Sequence, residues 1–346
     1  MKICYVLPDA YLCGGNRIAA EHCKRLIPFG HETAIALVNY SKSDRKWLKE
    51  VAGDKVEIIP FSHIPKWKPN AIVATYFETY YSIKEIEDQI PLTDKYYFVQ
   101  QIESKFFGDD YNKSRVTVTY GDKSFSIITE ALWLKDELKN RYGRDAVYVP
   151  NRQEFPSPIN SLSKSKRPIV LVEGNAEVHA KGVQDAWSAV KDLDCEKWLL
   201  TNSPRSKVRF PFDKIFSRVE WIKALGIINT ADILIKPSYF EGSPTPHMEA
   251  LALGTAIITT ASTGVEEYCI DDYNCLVVGI GDVGRMKDRI KLLLADKKLR
   301  QKLVKNGLKS SKMLSDWSEP IRTLHSTFAW TERILDGIKN VKPTNK

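Results

Sequence analysis

The sequence predicts an α/β protein of two Rossmann-like halves. Short apolar runs of strand length alternate with helix-length segments up to residue 149, and the same alternation restarts at Pro168 after a polar stretch. At 346 residues the chain also exceeds a comfortable single core and suits two domains of about 150–200 residues. The clearest local pattern is Ala231–Ala261, ADILIKPSYFEGSPTPHMEALALGTAIITTA, which reads as strand, loop, helix and strand in close succession.

Taken in order, Lys2–Leu7 is a compact apolar strand. Asp9–Gly15 follows as a loop, then a helix from about Asn16 to Phe29 and a second strand at Thr33–Val38. In this βαβ unit the Gly14-Gly15 turn brings bare backbone to a helix N-terminus. Val56–Pro60, Ala71–Ala74, Tyr96–Gln100 and Ser124–Ile128 read as further strands. A helix with Leu132, Leu134 and Leu138 toward a core comes next, and Val147–Val149 closes the first half. Residues 152–167, with their prolines and serines, have the composition of a linker.

In the second half Pro168–Val172 is a strand, Val183–Lys191 a helix and Lys197–Thr201 a strand. Residues 215–219 are a strand and Trp221–Asn229 a helix. Ile233, Leu234 and Ile235 then form a strand covered on both faces. Thr245 suits an N-cap with Pro246 at the first helical position, and Gly254 suits a left-handed C-cap before the strand that begins at Ala256. Leu276–Val278 is a last strand, followed by helices at about 282–294, 298–312 and 317–338. The loop Tyr239–Pro244 thus lies at a strand's carboxyl end with a helix N-terminus aimed at it, where open α/β sheets bind anionic ligands.

Composition sets bounds on function. With 43% hydrophobic and 27% charged residues the chain falls in the soluble globular class. No run reaches the roughly 18 apolar residues of a membrane span. The N-terminal apolar run stops at Pro8-Asp9, too early for a signal peptide. Six cysteines without a C-x-x-C pair suggest a reducing, cytoplasmic setting and no structural metal, with Cys4 and Cys269 as small core residues. Of the net charge of +8, +7 lies after residue 150, where 30 basic side chains face 23 acidic ones. That balance fits an anionic ligand, a peripheral contact with an anionic membrane, or a merely solubilising surface; no nucleic-acid partner is expected.

Two glutamates bracket the loop, Glu241 before the helix and Glu249 inside it. Taken singly, each suits a solvated loop or helix surface equally well. Together with Gly242, Ser243, Pro244, Thr245, Ala250 and Gly254, they resemble the donor-site motif of retaining GT-B glycosyltransferases of the family 4 type. The resemblance covers nearly the whole chain. It implies two Rossmann-like domains facing a cleft: residues 1–151 on the acceptor side, 168–316 on the nucleotide-sugar side, and the helix 317–338 crossing back to the first domain. It also implies transfer of a hexose from a nucleotide-diphosphate sugar, a UDP-sugar favoured, to a saccharide or lipid-linked saccharide acceptor in glycan synthesis, with no metal or other cofactor.

Residue roles follow from the same resemblance. Glu249 accepts from the ribose hydroxyls; Glu241 and the segment after it, with the amides of Gly242, Ser243 and Thr245 and the intervening Pro244, hold donor sugar and phosphate. Gly14 and Gly15 approach the phosphate from the first domain, and Glu220, before Trp221, falls where the base is contacted. Trp221 itself is more often a core aromatic than a base platform. Lys181 matches a lysine that meets the diphosphate, whereas Asn175 stands where the family carries an arginine; Arg205 is a candidate substitute. Glu103, after Gln100-Gln101 and before Phe106 and Phe107, could deprotonate an acceptor hydroxyl, and a salt-bridged loop residue fits it equally. Glu241, Lys181 and Glu103 are therefore the catalytic candidates.

Two patterns carry less. Gly279–Gly284 matches G-x-G-x-x-G, but helices rather than a second strand follow, so it reads as a loop and helix start. Asp192-Leu193-Asp194 ends a helix instead of a strand, which favours a turn over a metal site. Two rival functions stay open: a sugar-nucleotide epimerase on the same architecture, and a non-catalytic partner subunit.

Overall fold

The computed structural model describes residues 1–42, 45–155, 158–163 and 165–339. It forms two compact units, one of residues 1–150 with the chain from Trp317 onward, the other Asn151–Asp316.

The first unit runs β1 (Lys2–Leu7), α1 (Gly14–Leu26), β2 (Glu32–Leu37), α2 (Lys46–Ala52), β3 (Glu57–Pro60), α3 (Ile64–Trp67) and β4 (Ala71–Ala74). It continues through α4 (Phe77–Glu85), β5 (Asp94–Val99), α5 (Asp110–Gly121), β6 (Ser126–Thr129), α6 (Leu132–Tyr142) and β7 (Ala146–Tyr148). Its seven strands lie parallel in the order β3-β2-β1-β4-β5-β6-β7. Both faces are covered, so β1 buries Ile3, Tyr5 and Leu7 on one side and Cys4 and Val6 on the other. That two-sided burial is why the strands read as continuous apolar runs.

The second unit holds β8 (Ile169–Glu173), α7 (Val183–Val190), β9 (Glu196–Thr201), β10 (Lys214–Ser217), α8 (Trp221–Thr230), β11 (Ile233–Lys236), α9 (Thr245–Leu253), β12 (Ala256–Thr260), β13 (Leu276–Val278), α10 (Val283–Ala295) and α11 (Lys297–Ser311). Its sheet, again parallel, has the order β10-β9-β8-β11-β12-β13. The last helix, α12 (Ser318–Lys339), belongs to the first unit. There it buries Ile321, Leu324 and Phe328 in the same core as β1, with Phe328 edge-on to Tyr96.

Several local expectations change. Gly14 and Gly15 open α1 rather than precede it, with Cys13 at the N-cap. Leu132 is exposed at the start of α6; Leu134 and Leu138 are buried in the core from that helix, with Trp133 and Tyr142 packed against it. Thr245 is the first helical residue of α9, Pro244 takes the cap, and no side chain caps it. Gly254 does end α9 in the left-handed conformation, at φ 73°. Residues 152–167 do not behave as a free linker over their described part. Gln153 donates its backbone N–H to Leu314, Leu162 donates to Thr230 Oγ1, and the Asn160 carbonyl lies 2.4 Å from where a Cβ on Gly226 would stand. Residues 156, 157 and 164 of that stretch lie outside the described residues.

One helix carries weak periodicity. α5, DYNKSRVTVTYG, buries only Val116, Thr119 and Tyr120, so packing rather than pattern keeps it helical. The turn 279–284 connects β13 to α10, where Asp282 caps the helix by accepting from the Arg285 amide. Asp192 and Asp194 follow α7 and pair with Lys287 and Arg167.

Candidate functional site

The strand order of the second unit reverses at β8 and β11, the kind of place where a doubly wound sheet opens a crevice beyond its strand ends. In the parallel register Ile235 pairs with Val172, so the next residues on each strand, Lys236 and Glu173, leave the sheet side by side. Lys236 Nζ lies 2.5 Å from Glu173 Oε2 and 3.0 Å from Glu241 Oε1, with its side chain only 5% exposed. Lys181 closes the group from the other side, its Nζ 2.9 Å from each Glu241 oxygen. Ser238 adds its hydroxyl to Glu241 Oε1 at 2.6 Å.

The backbone explains why Lys181 arrives there. Gly182 turns at φ 63°, and a Cβ on it would come within 2.0 Å of the Pro237 carbonyl oxygen. No side chain fits, so the turn before α7 can press directly on the end of β11. The Tyr239 amide donates to the Ala180 carbonyl at 2.8 Å and the Tyr239 hydroxyl to Asp185, stitching the two loops together. Opposite, Gly264 (φ 79°) lets the Gly242 carbonyl approach, and Thr263 Oγ1 donates to the Glu241 carbonyl at 2.8 Å. The Ser243 hydroxyl hydrogen-bonds with the hydroxyl of Tyr268, which comes from the segment after β12.

Burial works against both central charges, and their partners overrule it. For Glu241 burial opposes ionisation, but Lys236 and Lys181 hold the carboxyl well below the usual range. For Lys236 burial opposes protonation, but Glu173 and Glu241 keep it protonated well above its ordinary value. His247, fully buried in α9, is pushed down to about 4 by desolvation and then by Lys236. It is neutral, with Nδ1 facing the Pro244 carbonyl at 3.3 Å and Nε2 facing Thr259 Oγ1 at 2.9 Å.

Glu249, also buried, is aimed by two donors. Trp221 Nε1 reaches its Oε1 at 3.0 Å and Gln153 Nε2 at 3.1 Å. The Trp221 ring is half-buried and supports this carboxylate, a role between the two weighed from sequence. Gln153 was invisible in the sequence because its stretch reads as linker.

Other candidates are placed differently. Asn175 uses Oδ1 inside its own loop, accepting from the Glu177 amide and the Ser203 hydroxyl. Arg205 is exposed and donates to the Ile215 carbonyl, so it does not supply the second cation of the cluster; Lys236 does. Sequence reading missed Lys236, although a lysine ending the apolar run Ile233–Ile235 was the available signal. Glu220 is exposed at the N-cap of α8. Gly14, Gly15 and Glu103 belong to the first unit, where Gly15 packs against the Gln100 side chain.

Glu103 is corrected by its surroundings. It is 3% exposed; its Oε2 accepts from the Phe77 amide and its Oε1 meets the Tyr97 hydroxyl, each at 2.8 Å. The Tyr120 hydroxyl accepts from its backbone N–H. Burial outweighs these bonds and pushes the carboxyl up to about 8. A side chain enclosed in this way pins α4, β5 and α5 together and does not reach an acceptor hydroxyl.

Known proteins share parts of this chain. Residues 216–310 match the family model described as glycosyl transferases group 1. The N,N'-diacetylbacillosaminyl-diphospho-undecaprenol alpha-1,3-N-acetylgalactosaminyltransferase of Campylobacter jejuni is 29% identical over 154 residues, 42% of this chain and 41% of that one. The capsular polysaccharide biosynthesis glycosyltransferase CapM of Staphylococcus aureus is 27% identical over 110 residues, 30% of this chain and 28% of that one. The aligned stretches thus span less than half the length of these curated relatives. Among solved structures, sucrose-phosphate synthase of Thermosynechococcus elongatus superposes with a TM-score of 0.76 at 14% identity, covering 96% of this chain and all of that one. Anabaena HepE in complex with UDP-glucose gives 0.76 at 12% identity with the same coverages. At such identities the likeness shows the fold, which is GT-B.

The raised pKa of Glu103 has a measurable consequence. A carboxyl whose folded value lies above its ordinary 4.5 stabilises the fold while protonated and loses that contribution as pH climbs toward about 8. Glu103→Gln stays neutral throughout. Urea unfolding at pH 5, 6.5 and 8 should therefore show wild type losing stability relative to the variant as pH rises. Parallel curves would mean that Glu103 is ionised in the fold.

Proposed function

We propose that this chain is a retaining, metal-independent glycosyltransferase that moves a hexose from a nucleotide-diphosphate sugar, UDP-sugars first, to a saccharide or lipid-linked saccharide. One observation carries the reading: two buried carboxylates, Glu241 and Glu249, flank the loop that leads into α9 at a strand switch point, beside two lysines. The segment matching the glycosyl transferases model, 216–310, contains both glutamates. The name of the Campylobacter relative, with its diphospho-undecaprenol, and the UDP-glucose in HepE support the acceptor and donor classes.

In this reading Glu249, aimed by Trp221 and Gln153, accepts hydrogen bonds from the ribose diol. The diphosphate lies at the N-terminus of α9, where backbone N–H groups and the helix dipole favour negative charge. Lys181, the more exposed lysine, meets it. As the bond to the sugar breaks, charge grows on the leaving diphosphate, and a cation there lowers the transition state more than the ground state. The acceptor attacks from the same face and gives its proton toward the departing phosphate oxygen, so no protein nucleophile is needed. Catalysis is then positioning plus charge stabilisation.

For peripheral contact with an anionic membrane, α11 of the second unit offers a surface. Lys298, Lys302, Lys305 and Lys309 are exposed at helical spacing along one face, with Leu308 and Met313 exposed beside them. Such a stripe fits an anionic bilayer, at about 1 kcal/mol per lysine near the surface. Flotation should recover the protein with phosphatidylglycerol-containing vesicles but not with phosphatidylcholine alone, and a variant with all four lysines changed to glutamine should stay unbound. Equal recovery of that variant would remove the assignment.

A thermal-shift screen against UDP-, GDP-, dTDP- and ADP-sugars tests the donor. Ligand at a hundred times its Kd should add roughly 2.7 kcal/mol. Glu249→Gln keeps an acceptor for Trp221 and Gln153 while losing the charge, so it should weaken the nucleotide by about 1.5–3 kcal/mol. Calorimetry giving unchanged affinity in a folded variant sinks the ribose role. Turnover of donor to a changed sugar nucleotide without any acceptor would favour an epimerase instead.

Lys181→Ala should lower kcat/KM by roughly 10²–10³-fold, about 2.7–4 kcal/mol for one lost charge-stabilising group. Steady-state kinetics decide it. Wild-type values in the variant would make Lys181 a partner of Glu241 only.

A further inference from the structure

Glu241 is held twice over. Lys181 grips both of its oxygens, and Lys236 with Ser238 grips Oε1 from behind. The two lysines differ in freedom. The Lys181 side chain is 21% exposed and comes from the turn before α7, whereas Lys236 is 5% exposed and tied to Glu173 as well. Two lysines and two glutamates leave the cluster neutral. The other titratable groups against it are His247, neutral on α9 behind Thr259, and Asp185 on α7, which accepts from the Tyr239 hydroxyl.

An anion arriving at the α9 N-terminus draws on the cation that can move. When Lys181 turns to it, Glu241 loses two short contacts at once. Without Lys236 that move would leave a buried carboxylate with no cation beside it, a cost that would keep Lys181 latched. Lys236 is anchored by Glu173 and stays where it is.

We propose that Lys236 is a positioning residue that keeps Glu241 fixed and charge-balanced while Lys181 swings from that carboxylate to the donor diphosphate. The cluster is then a latch with two positions, and the buried lysine sets how easily it opens. The identity of the anion rests on the glycosyltransferase reading; the charge balance inside the cluster does not.

Lys181→Met imitates the released state without any ligand. Carboxyl ¹³C NMR of glutamate-labelled protein should show Glu241 of that variant ionised from pH 8 down to pH 5. In Lys181→Met/Lys236→Met the same carboxyl should take up a proton between pH 5 and 8. Titration of Glu241 near neutrality in Lys181→Met overturns the proposal, and so does full ionisation in the double variant. If the double variant fails to fold, Lys181→Met alone still decides.

UDP-glucose calorimetry in two buffers of different ionisation enthalpy supplies the second arm. Wild type should bind without proton uptake and with a flat profile from pH 6 to 8. Lys236→Met should take up a proton on binding and bind at least tenfold more weakly at pH 8 than at pH 6. A role confined to holding the fold would lower the Tm of that variant and leave its profile flat, which overturns the latch. If wild type binds none of the sugar nucleotides, the donor reading falls and the carboxyl titration judges Lys236 by itself.

Discussion

Charge balance inside a nearly dry space is the constraint on which the second unit depends. Glu173, Lys181, Lys236 and Glu241 meet where β8 and β11 end, and the two enclosed there, Lys236 and Glu241, keep their charges because opposite charges face them. Each therefore dictates the placement of the others, and through them the placement of backbone. Lys181 needs a glycine after it, because only Gly182 lets its turn touch the Pro237 carbonyl. Glu241 needs Thr263 and Gly264 beneath its loop, or its carboxylate would not face the lysines. The loop into α9 is positioned by these contacts rather than by a side-chain cap, which α9 lacks.

The two units treat a buried carboxyl in opposite ways. Glu103 meets a backbone amide and a tyrosine hydroxyl but no cation, and burial drives it toward the neutral acid. Glu241 is nearly as buried, yet two lysines keep it an anion. A neutral acid suits a joint that ties α4 to β5. At Glu241 a fixed anion stands beside a lysine that is partly open to solvent.

The fold itself was largely legible. Strands enclosed on both faces must be apolar along their whole length, so Lys2–Leu7, Ala71–Ala74 and Ile233–Ile235 announce a parallel sheet. Helices whose character is set by packing, such as α5, left no comparable trace. The stretch 152–167 was less legible for a related reason: serine, proline and lysine suggest a tether, while Gln153, Asn160 and Leu162 pack within the second unit through backbone groups and one amide side chain.

By itself the sequence determined the loop between Glu241 and Glu249, the glycine that ends α9 and the lysine before Gly182, because each is a local pattern of residue type and spacing. It could not decide which charges share a partner. Lys236 and Glu173 lie 63 residues apart, and only the pairing of β8 with β11 makes them neighbours. Nor could it separate Glu103 from a solvated loop residue, since what encloses it comes from α4, β5 and α5. Ionisation depends on burial and on charges brought together from distant positions, and both are properties of the folded chain.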